Sequence, residues 1–364
     1  MPLVGTAILP HGSMVLDKSR PELPAGTAEL HDASILTAER VASFRPETII
    51  VHSPHSICLS NSLGVYLNPT AAGSAAWMGA WEEFEVAVRM DNEGAASLLA
   101  HLQAADVRAE GIHGFAGFDI PMRWSEAIPI WFLTQVMGGA IPPRDETVGT
   151  PSEPEPGQPR FILLSEGCGG GTGSSSADRA AVSPGKIPET LRTGAEIEAW
   201  ASARPERIVF VGSVDLAHGH VSRQPCCCSS CSSVVPTALS LTRSATRRRQ
   251  GNSRCPMLPS GQPDPRYRNP KYEEPLAGAE PFDEAMQCWA CTLQGEPILE
   301  TAPPLLHEAL ACGFDGCVML HGIMDAQGNA AEHWTVEEDC FHYGRPVYYG
   351  MMTAAYQRKQ QPTL

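Results

Sequence analysis

An α/β fold, with a central twisted sheet that is mostly parallel or mixed and flanked by helices, is predicted by three features of this 364-residue chain. Short apolar runs of β character alternate with helical periodicity from one end to the other. Three of these runs, AILPHG, IIVHSPH and IVFVGSVDLAH, finish in a histidine: His11, His55 and His218. A run ending in Pro-His or Asp-x-x-His brings an imidazole to the carboxyl edge of a sheet, where open α/β proteins bind their ligands. Finally, 43% hydrophobic and 18% charged residues suffice for a full core. With no internal repeat, one domain with long loops is the simplest account.

In chain order, Val4 to Pro10 reads as a short buried strand and Leu36 to Phe44 as a helix closed by Pro46. Glu47 to Ser53 is a second strand. Phe84 to Met90 alternates as a strand does, Asn92 to Val107 is helical in composition, and Ile128 to Gln135 is apolar enough for a buried element. After Pro142 the chain turns to Pro, Glu and Gly. The run GCGGGTGSSS (Gly167 to Ser176) reads as a mobile loop, because it has almost no apolar surface to offset its ordering entropy. Order returns with Phe161 to Leu164, the helix-like Gly194 to Ala203 and the strand Arg207 to Gly212, which leads to Asp215 and His218.

Val221 to Gln262 carries CCCSSCSS, six arginines and no acidic residue, and reads as an insertion foreign to the globular pattern that resumes near Tyr267. Beyond it, Glu280 to Leu293 and Pro304 to Cys312 have helical periodicity, Cys317 to Ile323 is a buried run, and Val347 to Tyr356 suits a closing strand and turn. The domain is therefore expected over residues 1–356, interrupted by low-complexity segments at 150–190 and 221–262, with 357–364 as a polar tail.

A net charge of −15 argues against a nucleic-acid partner, whose phosphates demand basic surface. No apolar stretch reaches the length of a membrane span, and Met1 to Val15 lacks the basic start and apolar run of a signal peptide, so a cytoplasmic protein is expected. Twelve cysteines show no disulfide-scaffold spacing, which favours reduced thiols.

Iron(II) that must bind both a chelating substrate and dioxygen needs open coordination positions, which two imidazoles and one carboxylate on one face leave free. His11 and His55 suit the imidazole roles. His52 lies three residues earlier, inside the strand, and is expected as a packed neighbour.

Taken together, AILPHG, ETIIVHSPH, RIVFVGSVDLAH, ACGFDGCVMLHGIM and GRPVYYGMMTAAY resemble the class III extradiol ring-cleavage dioxygenases of the catalytic B-subunit type, over most of Met1 to His220 and Tyr267 to Tyr356. The resemblance implies iron(II), with zinc(II) as the alternative, bound by His11, His55 and a carboxylate near the C-terminus. It implies His218, rather than His220, as acid and base, and a small aromatic diol plus dioxygen as partners, with self-association left open. For the third ligand Glu308 is the first choice, with Cys312 and Asp315 as rivals, since Ala311 stands where several relatives carry a glutamate. A second departure is Ile120 after Asp119, where many relatives have a histidine; His113 or His218 would then carry the proton work. Memo-type proteins, related scaffold or redox proteins that use a cysteine near the Cys-Gly position, are the alternative. Zinc-dependent dioxygenases of the plant-pigment type are a third, with His321 as the fourth-histidine candidate.

Weaker signals are two C-x-x-C pairs, Cys228/Cys231 and Cys288/Cys291, which read as accidental rather than as a zinc site. Gly169 to Gly173 lacks the lysine of a phosphate loop. Trp77, Trp81, Trp124 and Trp131 could shape an aromatic pocket, with core packing the plainer reading.

Overall fold

The computed structural model describes residues 3–20, 23–76, 84–115, 118–140, 157–166, 184–222 and 273–359. The low-complexity runs at 167–176 and 223–262, the glycines 169–173, Trp77, Trp81, Cys228 and Cys231 lie outside the described residues.

Fourteen strands are present among the described residues: β1 (Leu3–Leu9), β2 (Thr48–Ser53), β3 (Leu63–Tyr66), β4 (Thr70–Ala75), β5 (Phe84–Arg89), β6 (Ala109–Ile112), β7 (Ile120–Met122), β8 (Arg160–Ser165), β9 (Ile208–Ser213), β10 (His220–Ser222), β11 (Glu273–Pro275), β12 (Trp334–Val336), β13 (His342–Gly344) and β14 (Met351–Arg358). The helices are α1 (Thr27–Ser43), α2 (Asn92–Ala104), α3 (Trp124–Met137), α4 (Ile187–Ser202), α5 (Ala279–Thr292), the single turn α6 (Leu306–Ala309), α7 (Phe314–Met324) and the single turn α8 (Ala330–His333).

Nine strands form one mixed sheet in the order β12-β14-β1-β9-β2-β8-β3-β6, with β13 also on β14. Its centre, β1-β9-β2-β8, is parallel throughout, and the antiparallel pairings lie outside it, at β14 and β3. Because side chains alternate along a strand, the same apolar runs feed two cores. Ile8, Ile50, Ile162 and Phe210 face α2, α4, α5 and α7. Leu9, Val51, Leu163 and Val211 face α1, α3 and the small sheet β5-β4-β7. The expected α/β class is what the chain adopts, with a mixed sheet.

Several boundaries differ from expectation for local reasons. The helix expected over Leu36–Phe44 begins at Thr27, straight after Gly26 at φ 87°, with Leu30, Ser34, Thr37, Ala38 and Val41 as its buried stripe. The interruption set at 150–190 contains β8 and the start of α4. The polar tail starts later than residue 357, because Gln357 and Arg358 pair with Thr335 and Trp334. Pro304 to Cys312 is not one helix. Pro297–Thr301 forms a π turn and Pro303–Leu305 a 3-10 turn before α6, and Leu310, at φ 51°, ends helical geometry two residues before Cys312.

Glycine sets how closely α4 meets α7. A Cβ on Gly194 would lie 2.1 Å from the Met319 carbonyl oxygen, and one on Gly322 would lie 2.3 Å from that of Leu191. Each helix thus presses a glycine against the other's backbone, and α7 is seated hard against the layer beneath it. Gly194→Ala is therefore expected to destabilise the protein by about 1–3 kcal/mol through overpacking, despite alanine's better helix propensity. Urea denaturation measures this, and an unchanged midpoint would contradict the close crossing.

Candidate functional site

Strand register brings the site together. Leu9 of β1 pairs with Ser213 of β9, and His52 of β2 pairs with Gly212. Two residues beyond the first pairing come His11 and Asp215; three beyond the second come His55 and, again, Asp215. These side chains therefore leave the carboxyl edge of the sheet at one level, the position at which parallel α/β sheets present ligands. Cys312 reaches the same place from the turn before α7, because the Gly313 amide donates to the Asp215 carbonyl at 3.0 Å. His218 follows in the β9 loop, where its amide and that of Gly219 both donate to the Ala309 carbonyl.

One ligand atom each from His11, His55 and Cys312 lies within 4.8 Å of the others. Cys312 Sγ is 3.3 Å from His11 Nε2 and 3.9 Å from His218 Nε2. The His11 and His55 rings meet edge to face, 5.2 Å between centroids.

Hydrogen bonds decide which ring nitrogens face this cluster. The Ser213 hydroxyl donates to the Ser125 carbonyl, so its oxygen accepts from His11 Nδ1–H at 3.0 Å. His11 Nε2 is then left with a lone pair, directed at the cluster. Ser125 Oγ in turn shares a 2.5 Å hydrogen bond with Ser53 Oγ, which joins β2, α3, β9 and β1 through hydroxyls. His218 Nδ1 lies 2.7 Å from the Leu216 carbonyl, which can only accept, so Nδ1 carries the proton and Nε2 is the free base.

Burial sets the charges. It lowers the pKa of His11 to about 3, with His218 adding to the effect, and that of His55 to about 3, with His11 and Arg123 adding. Burial also lowers His218 against the opposing pull of Asp215. Asp215 itself is raised to about 6, first by burial, and remains mostly ionised at neutral pH. Burial likewise pushes the Cys312 thiol up. The imidazoles are thus neutral, the form in which histidine binds metals, and the 3.5 Å approach of His11 Nε2 to Asp215 Oδ2 is not an ion pair.

The donor set fits a metal ion. Ligand atoms of two neutral imidazoles and a sulfur converge beside the Asp215 carboxylate, an arrangement that a cation would relieve. Tetrahedral coordination with bonds of about 2.0–2.3 Å places donors about 3.5 Å apart, a short inward movement for three atoms within 4.8 Å.

The cluster floors a cleft of about 340 Å³ walled by Ser13, Ala76, Trp124, Tyr348 and Tyr349. Trp124 stacks on His55 at 5.3 Å, and Tyr349 lies parallel to His218 at 4.9 Å. Trp124 therefore belongs to the cleft wall, whereas Trp131 packs among Phe84 and Phe132.

Other candidates lie elsewhere. Glu308 is a correction: its Oε2 accepts from the Gly278 amide at 2.5 Å, and the helix break at Leu310 separates it from the cluster that Cys312 joins. Asp315 faces Glu166 across a separate hollow. His52 is buried beneath Gly316, as a packed neighbour would be. His220 lies tilted against Tyr348, 3.8 Å between ring centroids. His113 is exposed and Ile120 buried, so the loop between them brings no imidazole to the cleft. His321 accepts from Trp289 Nε1 at 3.3 Å in the core and is not a fourth ligand. Cys288 and Cys291 are exposed free thiols. Reduced thiols hold for these and for Cys312, Cys317 and Cys340, but Cys58, exposed on the loop after β2, is disulfide-bonded. Sequence reasoning missed the serine chain, whose three hydroxyls come from segments far apart and carry no local pattern.

No known protein family matches the chain, and no curated protein matches it. Among solved structures it is similar to the crystal structure of an uncharacterized protein, JW3007, from Escherichia coli K12, with 14% identity over 97% of this chain and 99% of that one and a TM-score of 0.43. A likeness so distant carries no functional argument. Among the described residues, no helix is long and apolar enough to cross a membrane.

The loop bearing His218 is anchored from α5. Buried Asp283 accepts from the Ala217 amide at 2.9 Å and from Tyr343 Oη at 2.7 Å, and pairs with Arg345. Asp283→Ala would leave the mostly buried guanidinium without its counter-charge, and a loss of about 3–5 kcal/mol is expected in urea denaturation. A loss below about 1 kcal/mol, the scale of a surface pair, would show that the anchor is not structural.

Proposed function

We propose that the cleft is the active site of a mononuclear non-haem metal dioxygenase of extradiol type, acting on a small catechol-like or aminophenol-like ring with dioxygen. The observation that carries this reading is the meeting of three donors, from His11, His55 and Cys312, beneath an aromatic-walled cleft into which His218 turns an unprotonated nitrogen. Bound there, iron(II) would supply Lewis acidity toward adjacent ring oxygens and a path by which electrons of the ring reach dioxygen.

The chain's own residues do the remaining work. Trp124 and Tyr349 bound the cleft in which a flat ring would sit. His218 Nε2 takes the proton of a ring hydroxyl, because its Nδ1–H is committed to the Leu216 carbonyl and stacking on Tyr349 limits ring rotation. Once protonated, the same nitrogen returns that proton to the oxygen that leaves with the product. Asp215, close to both His11 and His218, favours the imidazolium that forms in between.

A second reading is favoured by Cys312 itself. A thiolate where a carboxylate was expected suits zinc(II) or copper better than iron(II), and with that ion the chain would be a metal-binding redox protein or scaffold of Memo type. Anaerobic loading with iron(II), zinc(II) or copper, followed by oxygen uptake over a set of catechols, separates the two. Uptake with a yellow ring-opened product supports the dioxygenase. Tight copper or zinc binding without uptake sinks it and leaves the second reading.

In an active protein His218→Asn is expected to lower kcat about 10²–10⁴-fold while leaving metal content unchanged, measured by oxygen electrode and elemental analysis. Under either reading, Ser213→Ala frees the His11 Nδ1–H and is expected to weaken metal affinity about 10–100-fold, read by competition with a chelator. Unchanged affinity would mean that the hydroxyl chain does not orient the ligand.

A further inference from the structure

On the α7 side of the sheet, beyond the carboxyl end of β8, lies a smaller hollow of about 80 Å³. Its wall includes Glu166, just after β8; Asp315, in the first turn of α7; Lys186, just before α4; and the oxygen-bearing side chains of Asn61 and Thr190. Glu166 and Asp315 meet carboxyl to carboxyl. Glu166 Oε2 and Asp315 Oδ1 are buried and find no hydrogen-bond donor among the described residues. Two such oxygens in a protein interior are costly unless a positive group meets them. Lys186 lies near enough to favour both carboxylates electrostatically, yet makes no hydrogen bond to either orphaned oxygen.

We propose that this hollow is a second cation site, distinct from the histidine and cysteine cluster, that binds a hard divalent ion through Glu166 and Asp315. All its donors are oxygens, the set that suits magnesium, calcium or manganese rather than the softer ions favoured by the nitrogen and sulfur donors of the cleft. The hollow has room for an ion with some of its water. Lys186, a point charge on a flexible stem, is the built-in competitor that an arriving ion displaces. Because Asp315 starts the helix that follows Cys312, an ion here also ties the end of β8 to the segment that presents the thiol.

Manganese(II) is the probe. The full chain, titrated while the spectrum of free aqueous manganese is followed by electron paramagnetic resonance, is expected to take up one ion that calcium displaces. His55→Ala, which removes a donor of the cleft, should bind it equally well. Glu166→Gln and Asp315→Asn should each weaken uptake about 10–100-fold, with far-ultraviolet circular dichroism confirming the fold. Lys186→Ala, a partly exposed change, should tighten uptake severalfold, which keeps the test decisive if a carboxyl variant does not fold. The proposal is overturned if the unsubstituted chain binds no manganese, if the carboxyl variants bind as it does, if Lys186→Ala changes nothing, or if His55→Ala abolishes uptake. The last result would assign the ion to the cleft, and the other outcomes leave the dioxygenase reading untouched.

Discussion

Three neighbouring parallel strands end at a common height, and the candidate site depends on that register. With Leu9 opposite Ser213 and His52 opposite Gly212, the residues that follow have little choice of where to go. A slip of one residue in either pairing would turn a strand's side chains to the opposite face. His11 or His55 would then lose the others. The apolar faces enforce the register, since Ile8, Ile50 and Phe210 must reach one core while Leu9, Val51 and Val211 reach the other. Core packing and ligand placement are therefore one constraint.

The hydroxyl chain refines what the register begins. A neutral imidazole offers a lone pair at only one nitrogen, and a free ring could offer the wrong one. Ser213 removes that freedom at His11, because its own hydrogen is already given to the Ser125 carbonyl. The Leu216 carbonyl does the same at His218. Burial completes the arrangement by keeping both rings uncharged. These groups are costly in folding terms, and Asp283 with Arg345 and the closely crossed α4 and α7 hold the surrounding elements firmly enough to bear it.

Much of this was legible in the chain, because strand ends are local events. An apolar run followed by Pro-His identifies both a strand and its exit, so His11, His55 and His218 could be placed without coordinates, and so could the strands that carry them. Short edge strands such as β6, β7 and β12 were not legible, since three or four residues are too few for periodicity to emerge. Glu308 was misplaced for a related reason. Periodicity suggested a continuous helix from Pro304 to Cys312, which would put Glu308 one turn from the thiol. The prolines at 303 and 304 and the left-handed Leu310 break that helix, and the Gly278 amide takes the carboxylate. Which side chain then faces the cluster is a tertiary outcome, beyond the reach of local pattern.

What distinguishes the site chemically comes down to the atom at position 312. A thiolate brings the same formal charge as a carboxylate, so the balance of the donor set is unaltered, but sulfur is softer and coordinates at one point, whereas a carboxylate can use two oxygens. The nearby carboxylate, Asp215, does not take over that role. One of its oxygens is held by the His11 amide at 3.0 Å, and its carbonyl holds the Gly313 amide that positions Cys312. Asp215 thus organises the donors around it. A cation held there would have sulfur and two imidazoles as donors, and its reactivity would depend on how strongly Asp215 and the surrounding low-dielectric wall stabilise charge beside that sulfur.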